Sequence, residues 1–151
     1  MRFNPYKVDA VSYQHLVDLS KHHTASPLDN ALLQLIDVRV SQINGCAFCL
    51  AMHTEGARKA GVSQQQLDLV AGWRDVEGFS DRERSALGLA EAMTRVNDGG
   101  AVSDDTWEAA RRQFDDEELA TLLWAIGLIN VWNRVNAAVE MTSDLRAVSG
   151  S

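Results

Sequence analysis

Two cysteines and a histidine follow one another at helical spacing near the middle of the chain. Cys46, Cys49 and His53 are separated by three and four residues, so on an α-helix their side chains share one face. At a rise of about 1.5 Å per residue, His53 lies about 6 Å along the axis from Cys49 and roughly 10 Å from Cys46. A histidine one turn from a thiol can accept its proton. This spacing therefore predicts a reactive dithiol that reduces peroxides or exchanges disulfides.

The two thiols are not equivalent in this arrangement. A thiol with an ordinary pKa of about 8.5 is only a few per cent ionised at neutral pH. Both cysteines are expected in the first turn of a helix, where free N–H groups and the helix dipole favour an anion. Because His53 is nearer to Cys49, we expect Cys49 to attack the substrate. Cys46, beside the Asn44-Gly45 break, is expected to resolve the intermediate and to meet an external reductant.

Three other interpretations of the same residues compete with a redox site. The thiols could be inert core residues, or a structural disulfide whose short loop would contribute only about 2 kcal/mol. Cys46, Cys49 and His53 could also bind a metal ion with a fourth ligand from His22, His23, an acid or water. Zinc sites usually draw on two separated clusters, and no second C-x-x-C is present. The His22-His23 pair is better explained as a solvated helix end.

Composition indicates one soluble domain. The chain has 151 residues, 46% of them hydrophobic, which is enough for one core over residues of about 4–142, followed by a mobile tail. A net charge of -7 argues against nucleic-acid binding. Residues 1–25 contain no signal-like apolar run, and the most apolar segment, residues 119–132, is too short and too interrupted to span a membrane. We therefore expect a cytoplasmic protein with no nucleic-acid or membrane partner.

Apolar residues recur at helical intervals and only two prolines occur, so the sequence predicts an all-α, single-domain helical bundle. The predicted helices are 8–22, one capped by Ser26 with Pro27 at its first position, 46–60, a short one from Ser63 to about 71, one from Ser80 to about 97, one capped by Ser103, and 116–141. The C-x-x-C motif thus stands at the N-terminus of the third helix. Gly61 suits the end of that helix.

The second predicted helix carries a polar stripe that runs toward the cysteines. Its members are Asn30, Gln34, Asp37 and Ser41. The last helix, in contrast, is apolar almost all round between residues 119 and 132, so it is either central in the bundle or at a subunit interface. Its large apolar residues favour a homo-oligomer; they are Leu119, Leu122, Leu123, Ile126, Ile129 and Trp132.

Three separated segments resemble one known family. Residues 39–53 read R-V-S-Q-I-N-G-C-A-F-C-L-A-M-H, residues 80–94 read S-D-R-E-R-S-A-L-G-L-A-E-A-M-T, and residues 129–134 read I-N-V-W-N-R. Their order and spacing resemble the alkylhydroperoxidase D-like proteins of the carboxymuconolactone decarboxylase superfamily, over residues of about 4–141. A decarboxylase name would be misleading for this chain, because the decarboxylase branch lacks the cysteine pair.

The resemblance implies an all-α fold and a homo-oligomer made of dimeric units or of trimers and hexamers. It also implies a peroxidase activity in which the second cysteine, Cys49, attacks and the first, Cys46, resolves. No metal or organic cofactor is expected. The partners would be a peroxide substrate and an external thiol or dithiol reductant.

One position departs from the family pattern. The family's proton relay has a glutamate twelve residues before the first cysteine, and here that residue is Gln34. A glutamine cannot accept the proton, but it can hold His53 or a water in place; alternatively it is a plain surface amide. Asp37, one turn along the same stripe, is a candidate substitute for the missing carboxylate. Asn130, Asn133 and Arg134 match the family's last motif, and we expect a structural role for them.

The sequence therefore predicts a cytoplasmic thiol-dependent peroxidase or disulfide reductase that serves antioxidant defence. Its expected site residues are Cys49, Cys46, His53 and Gln34. The alternative is a non-enzymatic redox sensor or assembly module that uses the same dithiol as a switch.

Overall fold

Every regular element in residues 1–144, the part of the chain that the computed structural model describes, is a helix. The helices are α1 (Pro5–Val8), α2 (Ala10–Thr24), α3 (Asn30–Asn44), α4 (Ala47–Lys59), α5 (Gln64–Leu69), a 3-10 helix (Val70–Asp75), α6 (Asp81–Thr94), α7 (Val96–Gly99), α8 (Asp104–Gln113) and α9 (Asp116–Ala138). The all-α prediction is confirmed. The predicted mobile tail lies for the most part at 145–151, outside the described residues.

Helix α3 is the centre of the bundle and packs against α4, α6 and α9. Its apolar residues face two ways. Ile36 and Val40 belong to a core cluster shared with α6, α8 and α9, whereas Leu35 and Val38 belong to a second cluster shared with α4, α5, the 3-10 helix and α6. The polar stripe of α3 is thus held in a fixed orientation by apolar contacts on both sides.

The start of α3 differs from the prediction. Ser26 was expected to cap this helix, with Pro27 as its first residue, but α3 begins at Asn30 and its N-cap is Asp29. The Asp29 carboxylate accepts the Ala31 N–H at 3.0 Å, while the Ser26 hydroxyl accepts the Leu28 N–H within the preceding turn. Two good capping residues stand three positions apart, and the later one begins the helix.

Most other helix starts agree with the sequence. Ser63 with Gln66 and Ser80 with Glu83 form the expected capping boxes of α5 and α6, and Ser103 caps α8. The ends of two helices are earlier than predicted. Helix α6 stops at Thr94 and is followed by the separate turn of α7, and α9 stops at Ala138.

A buried ion-pair cluster joins α3 to α6. Arg39 donates to the Glu91 carboxylate at 2.7 Å, Trp73 Nε1 donates to it at 3.1 Å, and Arg74 pairs with its other oxygen. Burial raises the pKa of Glu91, but the hydrogen bonds from Arg74, Arg39 and Trp73 outweigh burial and lower it. Glu91 therefore stays ionised and fixes the position of α6 beside α3.

Helix α9 occupies a central position in the protomer. Leu119, Leu122, Ile126 and Ile129 are buried against α3, α6 and α8. Burial within one chain therefore accounts for most of the apolar side chains of this helix. Among its described residues, Trp124 is the most exposed large apolar side chain. Within residues 1–144, no helix is long and apolar enough to cross a membrane.

Candidate active site

The cysteine pair stands at the first turn of α4. Gly45 ends α3 in the left-handed region, with φ of 67°, and thereby redirects the chain. Cys46 is the N-cap of α4, and its Sγ accepts the Cys49 N–H at 3.3 Å. The two cysteines are joined by a disulfide. The backbone donor at the helix start therefore faces the sulfur of Cys46, whereas the sequence suggested a benefit for both thiols.

Asparagines of α9 hold the chain just before this turn. Asn44 Nδ2 donates to the side-chain oxygens of Asn130 at 3.0 Å and of Asn133 at 2.9 Å. Asn133 in turn donates to the Ser41 hydroxyl at 3.2 Å. Arg134 is exposed, and its hydrogen bonds within residues 1–144 go to Asn130 on its own helix. These contacts place Asn130 and Asn133 behind the cysteine turn, where they support its geometry, and they place Arg134 away from it.

Cys49 lies in a closed environment. It is 1% exposed, and its Sγ accepts a hydrogen bond from Asn136 Nδ2 at 3.2 Å. The Tyr6 hydroxyl donates to the other end of the same amide, Asn136 Oδ1. Sequence analysis missed both residues. Asn136 did carry a signal, since it continues the three-residue spacing of Asn130 and Asn133, but nothing in the sequence connects Tyr6 to the cysteines.

His53 is held by two residues of the polar stripe on α3. Its Nδ1 lies 3.1 Å from Gln34 Oε1 and 3.3 Å from Asp37 Oδ2. A carbonyl oxygen only accepts, so Nδ1 carries the hydrogen and Nε2 keeps its lone pair. In the described part of the chain, Nε2 is buried and has no hydrogen-bond partner. The structure thus leaves one basic atom of His53 available for a proton.

Burial favours the uncharged forms of both His53 and Asp37. It lowers the pKa of His53 to about 4, and it raises the pKa of Asp37 well above the ordinary range of a carboxyl group. Gln34 adds no charge that could offset either effect. At neutral pH, His53 is therefore a neutral imidazole, and burial favours the protonated form of Asp37.

A cavity of about 420 Å³ connects these groups. Cys49, His53, Asp37, Gln34 and Asn136 all line it, and Cys46 is not among its lining residues. The remaining wall is largely apolar and aromatic; it includes Tyr6, Tyr13, Val17, Leu33, Phe48, Met52, Leu128, Ile129, Trp132 and Met141. The Tyr6, Tyr13 and Trp132 rings contact one another, with centroids 5.2 to 5.9 Å apart. Such a cavity can admit an apolar organic molecule next to Cys49.

The histidine pair of α2 is not wholly solvated, contrary to the prediction. His22 is exposed, but His23 is buried and lines the cavity. Burial, together with the neighbouring His22, lowers the pKa of His23. Within residues 1–144, the structure brings together no group of three or more His, Cys, Asp or Glu side chains suited to a metal ion.

Comparison with known proteins agrees with the resemblance found in the motifs. The model of the carboxymuconolactone decarboxylase family matches residues 12–92, which run from α2 to α6 and include the whole cysteine turn. The chain belongs to the carboxymuconolactone decarboxylase family. It is similar to the uncharacterized protein YdfG of Bacillus subtilis (strain 168), with 33% identity over 138 residues that cover 91% of this chain and 93% of YdfG.

Two solved structures of similar proteins extend this assignment. One is a protein of unknown function from Agrobacterium tumefaciens, provisionally named as the antioxidant defence protein AhpD. It superposes with a TM-score of 0.89 at 34% identity, and the match covers 95% of this chain and 98% of the Agrobacterium chain. An uncharacterized peroxidase-related protein from Silicibacter sp. TM1040 superposes with a TM-score of 0.76 at 25% identity, covering 88% and 70%. The predicted alkylhydroperoxidase D-like fold is confirmed.

Proposed function

We propose that this member of the carboxymuconolactone decarboxylase family is a cytoplasmic thiol-dependent peroxidase that serves antioxidant defence. The single observation that carries this proposal is the Cys46–Cys49 disulfide at the start of α4, with Cys49 on the wall of the cavity that also contains His53. The similarity to a protein provisionally named AhpD supports a redox role.

In the first step, the reduced protein meets an organic hydroperoxide in the cavity. His53 Nε2 takes the proton of the Cys49 thiol, and the thiolate attacks the terminal oxygen of the peroxide. The O–O bond breaks, and the departing alkoxide takes the proton from His53. The peroxide is reduced to an alcohol, and Cys49 is oxidised by two electrons to a sulfenic acid.

In the second step, the Cys46 thiol attacks the sulfenic sulfur of Cys49. Water leaves, and the S–S bond forms. An external dithiol then attacks this disulfide, returns both cysteines to thiols and becomes a disulfide itself. The oxidised state of the chain, with Cys46 bonded to Cys49, is the end point of this sequence before reduction. The same exchange without a peroxide is a disulfide reductase activity.

Gln34 and Asp37 have separate parts in this proposal. Gln34 accepts a hydrogen bond from Nδ1 of His53 and thereby keeps the hydrogen on that nitrogen. Nε2 consequently remains the basic atom of the ring. Asp37 Oδ2, 3.3 Å from Nδ1, stabilises the imidazolium that forms when His53 takes the thiol proton, by accepting a stronger hydrogen bond from Nδ1–H. The chain thus keeps a carboxyl group beside His53 one turn away from the family's usual position.

A redox sensor is the second candidate, because an uncharged Gln34 and a His53 pKa of about 4 make a weaker base than a glutamate-paired histidine. Turnover separates the two. Reduced protein with dithiothreitol and cumene hydroperoxide should consume many equivalents of peroxide, and the Cys49→Ser variant should consume none. Oxidation of one equivalent followed by arrest would favour the sensor. No reaction of the reduced thiols with cumene or tert-butyl hydroperoxide would contradict both.

A further inference from the structure

The sulfur of Cys49 has a dedicated side-chain donor that comes from the far end of the chain. Asn136, in the last turn of α9, is 5% exposed and directs its Nδ2 to the Cys49 Sγ at 3.2 Å. The backbone N–H at the start of α4 faces the other sulfur, that of Cys46. A disulfide sulfur is a weak acceptor, whereas a thiolate accepts an N–H strongly. The amide therefore favours the reduced, ionised form of Cys49.

The direction of this amide is set by Tyr6. An asparagine side chain can present either its oxygen or its nitrogen to a neighbour, and only the nitrogen can stabilise an anion. The Tyr6 hydroxyl donates to Asn136 Oδ1, which leaves Nδ2 for the sulfur. Burial, and to a lesser extent the neighbouring Tyr13, raise the pKa of Tyr6. Its hydroxyl consequently remains a donor over the pH range in which a thiol ionises.

We propose that Asn136 is a catalytic residue that stabilises the Cys49 thiolate through its Nδ2, and that Tyr6 is a positioning residue that holds the amide in the required orientation. The role of Cys49 as the reacting thiol rests on the proposed function. The hydrogen bonds themselves tie three elements together, since α1 supplies Tyr6, α4 supplies Cys49 and α9 supplies Asn136.

Other titratable groups also line the same cavity. They are His53 on α4, Asp37 on α3, Tyr13 and His23 on α2, and Tyr6 on α1, while the α9 residues that line the cavity carry no titratable side chain. His53 is uncharged while the thiol keeps its proton, and it becomes an imidazolium when it takes that proton. The amide of Asn136 is a neutral donor, so it stabilises the thiolate whether the proton stays on His53 or leaves to solvent.

The test measures the thiol pKa of Cys49 directly and uses no peroxide. In a Cys46→Ser background, Cys49 is the single thiol, and the rate of its alkylation by iodoacetamide across pH reports its ionisation. Asn136→Leu should raise the Cys49 pKa by about one unit, seen as about tenfold slower alkylation below the pKa. Asn136→Asp should raise it further, because a carboxylate replaces the donor.

Tyr6→Phe should raise the Cys49 pKa by less than Asn136→Leu does, because the amide remains but loses its fixed orientation. Tyr13→Phe is the matched control, since its ring contacts both Tyr6 and Trp132, and it should leave the pKa unchanged. With both cysteines present, Asn136→Leu should also lower the reduction potential of the pair, because the dithiol state loses its stabilised thiolate.

An unchanged Cys49 pKa in a folded Asn136→Leu protein would overturn the role of Asn136, and an unchanged pKa in Tyr6→Phe would overturn the role of Tyr6. Circular dichroism identifies the folded variants. If Asn136→Leu does not fold, the nearly isosteric Asn136→Asp decides in its place. A protein without peroxidase turnover would still show these pKa shifts, so failure of the proposed function and failure of this inference are distinguishable.

Discussion

The amide of Gln34 occupies the space that a side chain at Gly56 would fill. A Cβ atom at position 56 would overlap Gln34 Oε1, so the glycine on α4 allows the glutamine of α3 to approach closely. From that place, the same oxygen accepts a hydrogen bond from His53 Nδ1 at 3.1 Å. The absence of a side chain at position 56 therefore contributes to the geometry of the base.

Gly56→Ala should slow the oxidation of Cys49 without unfolding the protein. The new methyl group displaces the flexible end of Gln34 from His53, while alanine is favourable inside a helix by about 1 kcal/mol. Loss of one net hydrogen bond of about 1 kcal/mol corresponds to roughly fivefold slower single-turnover oxidation by cumene hydroperoxide. Gly127→Ala in α9, where a Cβ atom meets nothing within 4 Å, is the matched control. Equal rates in both variants would contradict a role for Gln34.

Gln34→Glu should speed the same reaction. A carboxylate at this position favours the imidazolium form of His53 and raises its pKa from about 4, which makes the histidine a better base for the thiol. We expect a gain of about tenfold at pH 7, corresponding to about one unit of pKa. The pH dependence of single-turnover oxidation measures it. Gln34→Leu should instead be slower than the wild type, and a faster Gln34→Leu variant would count against this mechanism.

Cys49→Ser and Cys46→Ser should behave differently toward peroxide. Cys49→Ser should not react, because Cys46 does not line the cavity and lies two helical turns from His53. Cys46→Ser should react once and accumulate a sulfenic acid on Cys49, detectable by mass spectrometry after trapping with dimedone. Faster oxidation of Cys46 than of Cys49 would reverse the proposed order and assign attack to the N-terminal cysteine.

In an Asp37→Asn protein, which lacks the opposing raised pKa of the Asp37 carboxyl, the stability of the fold should fall with acidification through the range in which His53 is buried uncharged. Its pKa drops from an ordinary 6.5 to about 4 on folding, so between these values the unfolded chain binds a proton that the folded chain excludes. Stability present above pH 6.5 is therefore lost as the pH falls toward 4, by about 3 kcal/mol. Urea denaturation of the oxidised protein measures this loss. Two proteins that both carry Asp37→Asn, with and without His53→Asn, isolate it, and parallel pH profiles would contradict it.

The protein should form a homo-oligomer through the outer face of α9. Trp124 is 67% exposed and Val131 is 41% exposed. The two residues are seven positions apart, so they share one face of α9, on the side away from the buried core. A large exposed aromatic side chain next to further apolar surface is typical of an interface. Light scattering should give a multiple of 16.6 kDa at micromolar concentration, and Trp124→Arg should shift it toward the monomer. A wild-type mass near 16.6 kDa would contradict the prediction.

Sequence patterns predicted those parts of the site that depend on one helix. Cys46, Cys49 and His53 share a face because helical spacing alone determines it. Asp37 and Gln34 required one more step, the pairing of α3 with α4, which the stripe toward Gly45 suggested. Other contacts depend on distant packing.

The hydrogen bond between Tyr6 and Asn136 joins residues 130 positions apart, and local periodicity carries no information about it. Burial of His23 has the same origin, since its helix end packs over a cavity that only the assembled bundle creates. The predicted start of α3 was wrong for a local reason, because serine and aspartate are similarly favourable at the N-cap and Ser26 and Asp29 could both occupy it. The sequence could not decide whether α9 is central in the bundle or at a subunit interface, because both kinds of helix have the same apolar composition.

The asparagines of α9 recur every three residues, at 130, 133 and 136, on a helix that needs 3.6 residues for a turn. Each step therefore rotates the next amide backward by about 60°, and the three side chains fan out around the axis. Asn130 reaches Thr94 on α6, Asn133 reaches Ser41 on α3, and Asn136 reaches Cys49 on α4. The three asparagines of α9 thus contact α6, α3 and α4 in turn, at successive angles around the helix axis. Insertion of one residue between Asn133 and Asn136 would turn the Asn136 amide by about 100° and remove it from the sulfur of Cys49.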